Sequence, residues 1–167
     1  MRLATMSDLS QIFALVEEAK GLMQRDNNPQ WDAHYPVLQD FKNDIAQQTL
    51  YVLDEDDVIK GFIVINHEAP DWYDQLEWPI RRDNVLVIHR LVASFQYPGT
   101  AQKLMQFAET HAVQQQCTTL LTDTFSENQR AQNLFNKHNF IKTGEMISNT
   151  FPFDKGKPFY AYYKKIN

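Results

Sequence analysis

Apolar residues recur every three to four positions in four stretches of the chain, which predicts four helices. The first runs from about Asp8 to Arg25 behind a Ser7 cap. The second begins with Pro36, because proline suits the first turn of a helix. The other two are predicted over Thr100 to about Gln116 and Asn128 to about Lys137.

Shorter runs rich in β-branched and aromatic residues predict strands between these helices. The predicted strands are Arg2–Thr5, Leu50–Leu53, Val58–Asn66, Val85–Val92, Thr119–Thr124, Phe140–Met146 and Phe159–Ile166. The resulting order is β-α-α-β-β-β-α-β-α-β-β. A hairpin meander followed by strand–helix–strand crossovers predicts a mixed α/β (α+β) sheet with helices on both faces.

Length and composition narrow the class of protein. The chain has 167 residues, 43% of them hydrophobic, so we expect one domain over residues 1–167 with a full core. A net charge of −5 argues against a nucleic-acid partner, since phosphate binding needs a basic surface. No apolar run approaches the ~20 residues of a membrane span. We therefore expect a cytoplasmic protein without a membrane partner.

Cysteine and histidine placement argues against a metal. Cys117 is the only cysteine, and we interpret it as a packed thiol. The histidines show no ligand spacing with carboxylates; outside the central strand they are His34, His67, His111 and His138. No metal cofactor is expected.

The most informative segment leads from the apolar strand Val85–Val92 into the third helix. It contains Gln96, Tyr97, Pro98, Gly99, Thr100 and Ala101. The first N–H groups of a helix have no internal partner and carry partial positive charge. Gly99 allows a ligand to approach the backbone closely, and Ala101 keeps the next turn free of bulk. This construction is typical of a pyrophosphate cradle.

The pattern Gln96-x-x-Gly99-x-Ala101 resembles the Q/R-x-x-G-x-G/A motif of the GNAT superfamily of N-acetyltransferases. Two further segments are similar to that superfamily: Asn128-x-x-Ala131-x-x-Leu134-Phe135 with Asn139-Phe140, and the opening Arg2-x-Ala4-Thr5-x-x-Asp8. A Rossmann site would need more than the five glycines present, and no Walker motif occurs.

The resemblance implies a GNAT-like fold, with a mostly antiparallel sheet of six or seven strands and about four helices. It implies acetyl-CoA as co-substrate, with its diphosphate on Gln96, Tyr97, Gly99, Thr100 and Ala101. It also implies that the pantetheine arm pairs near Leu91 and Val92, with the Val92 N–H polarising the thioester. Asn128 corresponds to a cofactor-supporting position, although capping the fourth helix explains this residue equally well.

The chain departs from the family pattern at two places. Many members carry a tyrosine, as acid for the leaving thiolate, where this chain has Phe135. Pro98 lacks an N–H, and Tyr97 and Pro98 stand where basic residues often flank the loop. The expected function is acetyl transfer to a primary amine of a small molecule or peptide. The alternative is a non-catalytic acyl-CoA-binding or partner-binding domain with the same fold.

Two residues are candidates for the base that deprotonates the amine, His89 first and Asp123 second. His89 lies within the central strand and titrates near neutrality, although a hydrogen-bonded structural histidine explains it too. Asp123 lies at the end of the predicted strand Thr119–Thr124, where catalytic groups often lie. A helix cap or a salt bridge with Arg90 would also account for Asp123.

Aromatic residues in two segments are candidates for the acceptor pocket. Trp31 and Tyr35 follow the first helix, and Trp72 and Tyr73 lie in the acidic loop Glu68–Asp83. Their rings could hold a cationic amine; core packing beneath a solvated acidic loop is the alternative. A homodimer is the default expectation for the assembly.

Overall fold

The structure, a computed structural model, describes residues 1–166. Its helices are α1 (Leu9–Arg25), α2 (Leu38–Ala46), α3 (Thr100–Gln114) and α4 (Gln129–Lys137). Its strands are β1 (Arg2–Leu3), β2 (Leu50–Glu55), β3 (Val58–Asn66), β4 (Val85–Ala93), β5 (Thr119–Phe125), β6 (Ile141–Met146) and β7 (Phe159–Lys165). The predicted order of elements is confirmed. None of the helices within this described part combines the length and hydropathy that a membrane span requires.

The strands form a mixed, mostly antiparallel sheet in the order β1-β2-β3-β4-β5-β7-β6. Strand β2 pairs antiparallel with β1 and β3, and β7 pairs antiparallel with β5 and β6. Strand β4 pairs parallel with β5 over Val85–Ile88. The chain divides into two compact units, residues 1–65 with 89–107 and residues 66–88 with 108–166. The fold class expected from the sequence is therefore confirmed.

Two predicted helix starts need correction. Helix α2 begins at Leu38 rather than at Pro36, with Val37 extended at the N-cap. The Asp40 carboxylate accepts a 2.7 Å hydrogen bond from the Val37 N–H, which places the helix start after the proline. Helix α1 is preceded by a short 3-10 turn over Met6–Asp8, where the Asp8 carboxylate accepts from the Thr5 N–H at 2.7 Å.

The first unit has a hydrophobic core made by the inner faces of α1 and α2 and by strands β2 and β3. Phe41 and Phe62 are fully buried at its centre and meet edge to face, with ring centroids 5.6 Å apart. The other fully buried members are Ile12, Val16, Leu50 and Val52.

The second unit has an aromatic core. It includes the short 3-10 turn Asp71–Gln75 inside the acidic loop, which the sequence pattern did not predict. Trp72 and Tyr73 of that turn are buried with strand residues of β4, β5 and β7; these include Val87, Leu121, Phe125, Phe159 and Ala161.

Gly61 of β3 permits a close approach within the first unit. A β-carbon at this position would lie 2.6 Å from the carbonyl oxygen of Val92 and 2.7 Å from Cγ2 of Thr100. Such distances are shorter than van der Waals contact, so only glycine fits without movement of β3, β4 or α3. Val92 lies next to the last residue of β4 and Thr100 begins α3, so Gly61 permits the close approach of both sides of the loop between them.

We predict that Gly61→Ala lowers the free energy of unfolding by about 1–3 kcal/mol, because the added methyl overpacks the contact. Gly21→Ala is the matched control, since a β-carbon there meets only the Arg25 guanidinium, at 3.8 Å. Because Gly21 lies inside α1, that change should stabilise by about 0.5–1 kcal/mol. Urea unfolding of both variants measures the difference. Equal stability of Gly61→Ala and the native protein would contradict the proposed contact.

Candidate active site

The loop between β4 and α3 is built from two successive turns. The Tyr97 N–H donates to the Ser94 carbonyl at 3.3 Å, and the Thr100 N–H donates to the Tyr97 carbonyl at 3.3 Å. The Thr100 hydroxyl also donates to the Tyr97 carbonyl, at 2.8 Å. These bonds use the Tyr97 carbonyl twice and fix the direction in which the chain enters α3.

Gly99 provides the open surface of this loop. Its φ is +88°, a conformation that favours glycine, and no heavy atom lies within 4 Å of where a β-carbon would stand. Within residues 1–166, the backbone N–H groups of Gly99, Ala101 and Gln102 have no hydrogen-bond acceptor. Unpaired amides at a helix start, with open space above them, form an anion-binding surface.

Glu18 of α1 anchors the start of the loop. Its carboxylate accepts from the Phe95 N–H at 3.0 Å and from the Ser94 hydroxyl at 3.3 Å. The Ser94 hydroxyl oxygen in turn accepts from the Gln96 N–H at 3.2 Å. The sequence pattern did not predict this role for Glu18. The only indication in the sequence is that this glutamate lies directly beside the apolar stripe of α1.

Two lysines lie beside the loop, although Tyr97 and Pro98 stand where basic residues often flank it. Lys60 of β3 lies with its ammonium 5.0 Å from the centre of the Tyr97 ring, and Lys103 lies in the first turn of α3. Both ammonium groups bond to Glu55, Lys103 at 2.6 Å. Hydrogen bonding by Lys103 and then by Lys60 lowers the pKa of Glu55 to about 2, and the charge of Asp56 also acts on Lys60.

Arg90 of β4 is held by Asp44 of α2, and not by Asp123 as one reading of the sequence expected. The Arg90 guanidinium donates to the Asp44 carboxylate at 2.8 Å and to the Tyr35 hydroxyl at 3.3 Å. Desolvation raises the pKa of Asp44 to about 6, although the charge of Arg90 opposes this shift. The Asp123–Arg90 salt bridge is therefore corrected to an Asp44–Arg90 pair.

The remaining predicted residues of the first unit lie on β4 and after α1. Val92 is buried, whereas His89 and Leu91 are half-buried. Trp31 is buried in the hydrophobic core, and Tyr35 packs against that core. The roles predicted for these residues in base catalysis, cofactor pairing and acceptor binding stay predictions.

Asp123 and Tyr73 form a hydrogen-bonded pair in the second unit. The Tyr73 hydroxyl donates to Oδ2 of Asp123 at 2.8 Å. Desolvation raises the pKa of Asp123 to about 7, although the bond from Tyr73 opposes the shift. Asp123 itself remains partly exposed. A carboxyl group that titrates near neutrality can accept a proton in the physiological range.

The other aromatic candidates, Trp72 and Tyr73, are buried in the core of the second unit. Tyr73 is fully buried and Trp72 is 5% exposed; the Trp72 ring contacts Phe153 at 5.9 Å between centroids. The part predicted for Trp72 and Tyr73 in acceptor binding stays a prediction.

Asn128 caps α4, because its side-chain oxygen accepts from the Ala131 N–H at 3.2 Å. The capping role is thus observed, and the cofactor contact stays a prediction.

Phe135 is 5% exposed and packs against Phe140 and Tyr162. It is a core residue with no proton to donate. Among residues 1–166, no group of three or more His, Cys, Asp or Glu side chains is arranged to bind a metal.

The chain was compared with protein-family profiles and with solved structures, and both comparisons find acetyltransferases. The profile of the acetyltransferase (GNAT) family matches residues 15–140. A crystal structure of a Staphylococcus aureus Mu50 protein, assigned to the acetyltransferases, is 42% identical, with a TM-score of 0.79 over 99% of this chain and 98% of that one. The chain belongs to the acetyltransferase (GNAT) family. No curated protein matches it.

Two further crystal structures resemble the chain. A GNAT-family acetyltransferase from Streptococcus agalactiae 2603 is 25% identical, with a TM-score of 0.85 over 99% of this chain and 94% of that one. Another from Listeria monocytogenes 4b F2365 is 18% identical, with a TM-score of 0.75 over 99% and 93%. At that identity the likeness to the Listeria protein shows the fold alone.

Proposed function

We propose that this protein is an acetyl-CoA-dependent N-acetyltransferase that acts on a primary amine of a small molecule or peptide. The observation that carries the proposal is the open surface at Gly99, where three amides without an acceptor among residues 1–166 lie at the start of α3. Membership of the acetyltransferase family agrees with that surface, because such a family needs a site for an acyl donor. Acetyl-CoA would supply the acetyl thioester.

The loop fits a diphosphate group in three respects. The N–H groups of Gly99, Ala101 and Gln102 offer three donors, and the helix dipole adds partial positive charge. The φ of +88° at Gly99 turns these donors outward without strain. Thr100 is buried, and its hydroxyl donates inside the loop, so this hydroxyl helps to shape the loop that would hold the diphosphate.

Lys60 and Lys103 support the same proposal. Pro98 removes one possible donor from the loop, and Gln96 and Tyr97 carry no charge. The two lysines share one carboxylate, Glu55, and Asp56 acts on Lys60 through its charge. A cation near a phosphate surface strengthens anion binding through charge-assisted hydrogen bonds and the Coulomb field.

We assign Asp123 as the general base. Its pKa of about 7 makes the ionised carboxylate available near neutral pH and still basic enough to accept a proton from an ammonium. The proton leaves the amine nitrogen and is held on Asp123, which frees the nitrogen lone pair for attack. His89 stays the second candidate. Polarisation of the thioester oxygen is assigned to the Val92 N–H.

A non-catalytic acyl-CoA-binding domain is the second candidate function, and Phe135 is the observation that favours it. A buried phenylalanine at this position cannot protonate a leaving thiolate. Such a domain would bind acetyl-CoA and leave amines unmodified. The two functions therefore differ in turnover and not in cofactor affinity.

We expect Gly99→Leu to weaken acetyl-CoA binding by about tenfold or more, because the side chain would fill the space above the amides. Isothermal titration calorimetry of the native protein and the variant measures the change. Gly156→Leu is the matched control, since Gly156 also has a positive φ, +72°, and open space at its β-carbon. Both variants share a backbone cost of about 1–2 kcal/mol.

Loss of affinity in Gly99→Leu alone would support the loop as the cofactor site. Equal loss in both variants would point to a general effect of strain. Absence of acetyl-CoA binding to the native protein would refute the acetyltransferase proposal.

We predict that Asp123→Asn lowers kcat by about 10²–10⁴-fold in amine acetylation. In the native protein, log kcat/KM should rise with pH up to an apparent pKa near 7, because only the ionised carboxylate accepts a proton. This rise of log kcat/KM with pH should be missing from the profile of Asp123→Asn. His89→Asn, measured over the same pH range, tests the alternative base. A rise near pH 7 that survives in Asp123→Asn and disappears in His89→Asn would reassign the role.

A further inference from the structure

We propose that Tyr73 is a positioning residue that fixes the orientation and ionisation of the Asp123 carboxyl group. The proposal rests on the assignment of Asp123 as base and adds a residue to that site. It starts from the 2.8 Å hydrogen bond between the Tyr73 hydroxyl and Oδ2 of Asp123. These two residues lie 50 positions apart in the chain and in the same compact unit.

The Tyr73 phenol ring is immobilised from two sides. The Trp72 ring meets it edge to face, with centroids 4.7 Å apart, and the Trp78 ring lies 5.1 Å away. The backbone is held as well, since the Trp78 indole N–H donates to the Tyr73 carbonyl at 2.8 Å. The Tyr73 N–H donates to the Pro70 carbonyl at 2.9 Å. A fully buried ring so fixed presents its hydroxyl in one direction.

The two oxygens of Asp123 differ in their surroundings. Oδ2 is held by Tyr73, whereas Oδ1 has no hydrogen-bond partner among residues 1–166 and is not sealed from solvent. One oxygen is thereby fixed and the other remains available for an incoming proton. A clamped carboxyl group keeps the reactive lone pair in a defined direction, which a freely rotating group would not.

The hydroxyl also affects ionisation through charge. A donor to a carboxylate stabilises the ionised form, so Tyr73 counteracts the desolvation of Asp123. Tyr73 itself stays protonated, because desolvation and the neighbouring Asp123 charge raise its pKa well above its usual value of 10. It therefore acts as a permanent donor and not as a second titrating group.

Few other titratable groups face the pair within the described residues. The residue opposite Asp123 on β7 is Ala161, which has no charge. Arg82 acts on Tyr73 by lowering its pKa, and its guanidinium is itself paired with Asp74. The Tyr73 phenol is therefore the neighbouring group that, together with desolvation, sets the ionisation of Asp123.

Tyr73→Phe tests the proposal, because it removes the hydroxyl and keeps the ring. The pH at which the Asp123 carboxyl is half ionised, followed by carbon NMR without acetyl-CoA, should move upward by about one pH unit. The midpoint of kcat/KM for amine acetylation should move the same way, so that the loss at pH 7 is about fivefold and becomes smaller at higher pH. KM for the amine should change little.

Tyr160→Phe is the matched control, since Tyr160 lies on β7 opposite Thr124 and has no part in the proposed site. It should leave both midpoints unchanged, and thermal unfolding of both variants checks that the fold is retained. An Asp123 carboxyl whose ionisation does not move in a folded Tyr73→Phe protein would overturn the proposal. A shifted carboxyl in a protein that acetylates no amine would support the role of Tyr73 and refute the proposed function instead.

Discussion

At Gly61 the backbone of β3 comes so near to β4 that a single methyl group would lie 2.6 Å from the Val92 carbonyl oxygen. The same glycine faces Thr100 and Leu104 at the start of α3. A residue without a side chain therefore lets β4 and the start of α3 pack this closely against β3. The loop between these points has little freedom left, and its internal turns and the Glu18 anchor determine where its amides point.

Asp44 and Asp123, two carboxyl groups whose pKa is raised by desolvation, illustrate how the partner determines the role. Asp44 faces Arg90, and Oδ2 of Asp44 and Nε of Arg90 are buried with no hydrogen-bond partner in the part of the chain that the structure describes. Such a buried ion pair tolerates the loss of either partner poorly and serves structure. Asp123 faces a neutral phenol and keeps one oxygen in reach of solvent. Only the second arrangement leaves a carboxylate free to exchange a proton near pH 7.

Most of the correct predictions came from patterns among residues that are neighbours in the sequence. The strand, glycine and helix around Gly99 are contiguous, so their chemistry could be inferred from the residues alone. The order of helices and strands followed from hydrophobic period for the same reason. The error at Pro36 was also local: proline suits a first turn, but Asp40 caps the helix from inside and moved its start to Leu38.

Contacts between distant segments were beyond the reach of such patterns. Nothing in the sequence around Asp123 indicates a tyrosine 50 residues earlier, and the charge of Arg90 suggested the wrong carboxylate. Lys60 and Glu18 reach the loop only because β3 and α1 fold against it. The candidate base was thus predicted as a residue type at a strand end, while its ionisation depends on burial and on one long-range hydrogen bond.

The most direct test of the proposed cofactor site is an NMR titration of isotopically labelled protein with acetyl-CoA, in which each backbone amide is followed separately. We predict that the amide signals of Gly99, Ala101 and Gln102 shift in proportion to bound acetyl-CoA, and that the Gly156 signal stays in place. Saturable shifts confined to other parts of the chain, with these three amides unmoved, would contradict the assignment of this loop to the cofactor.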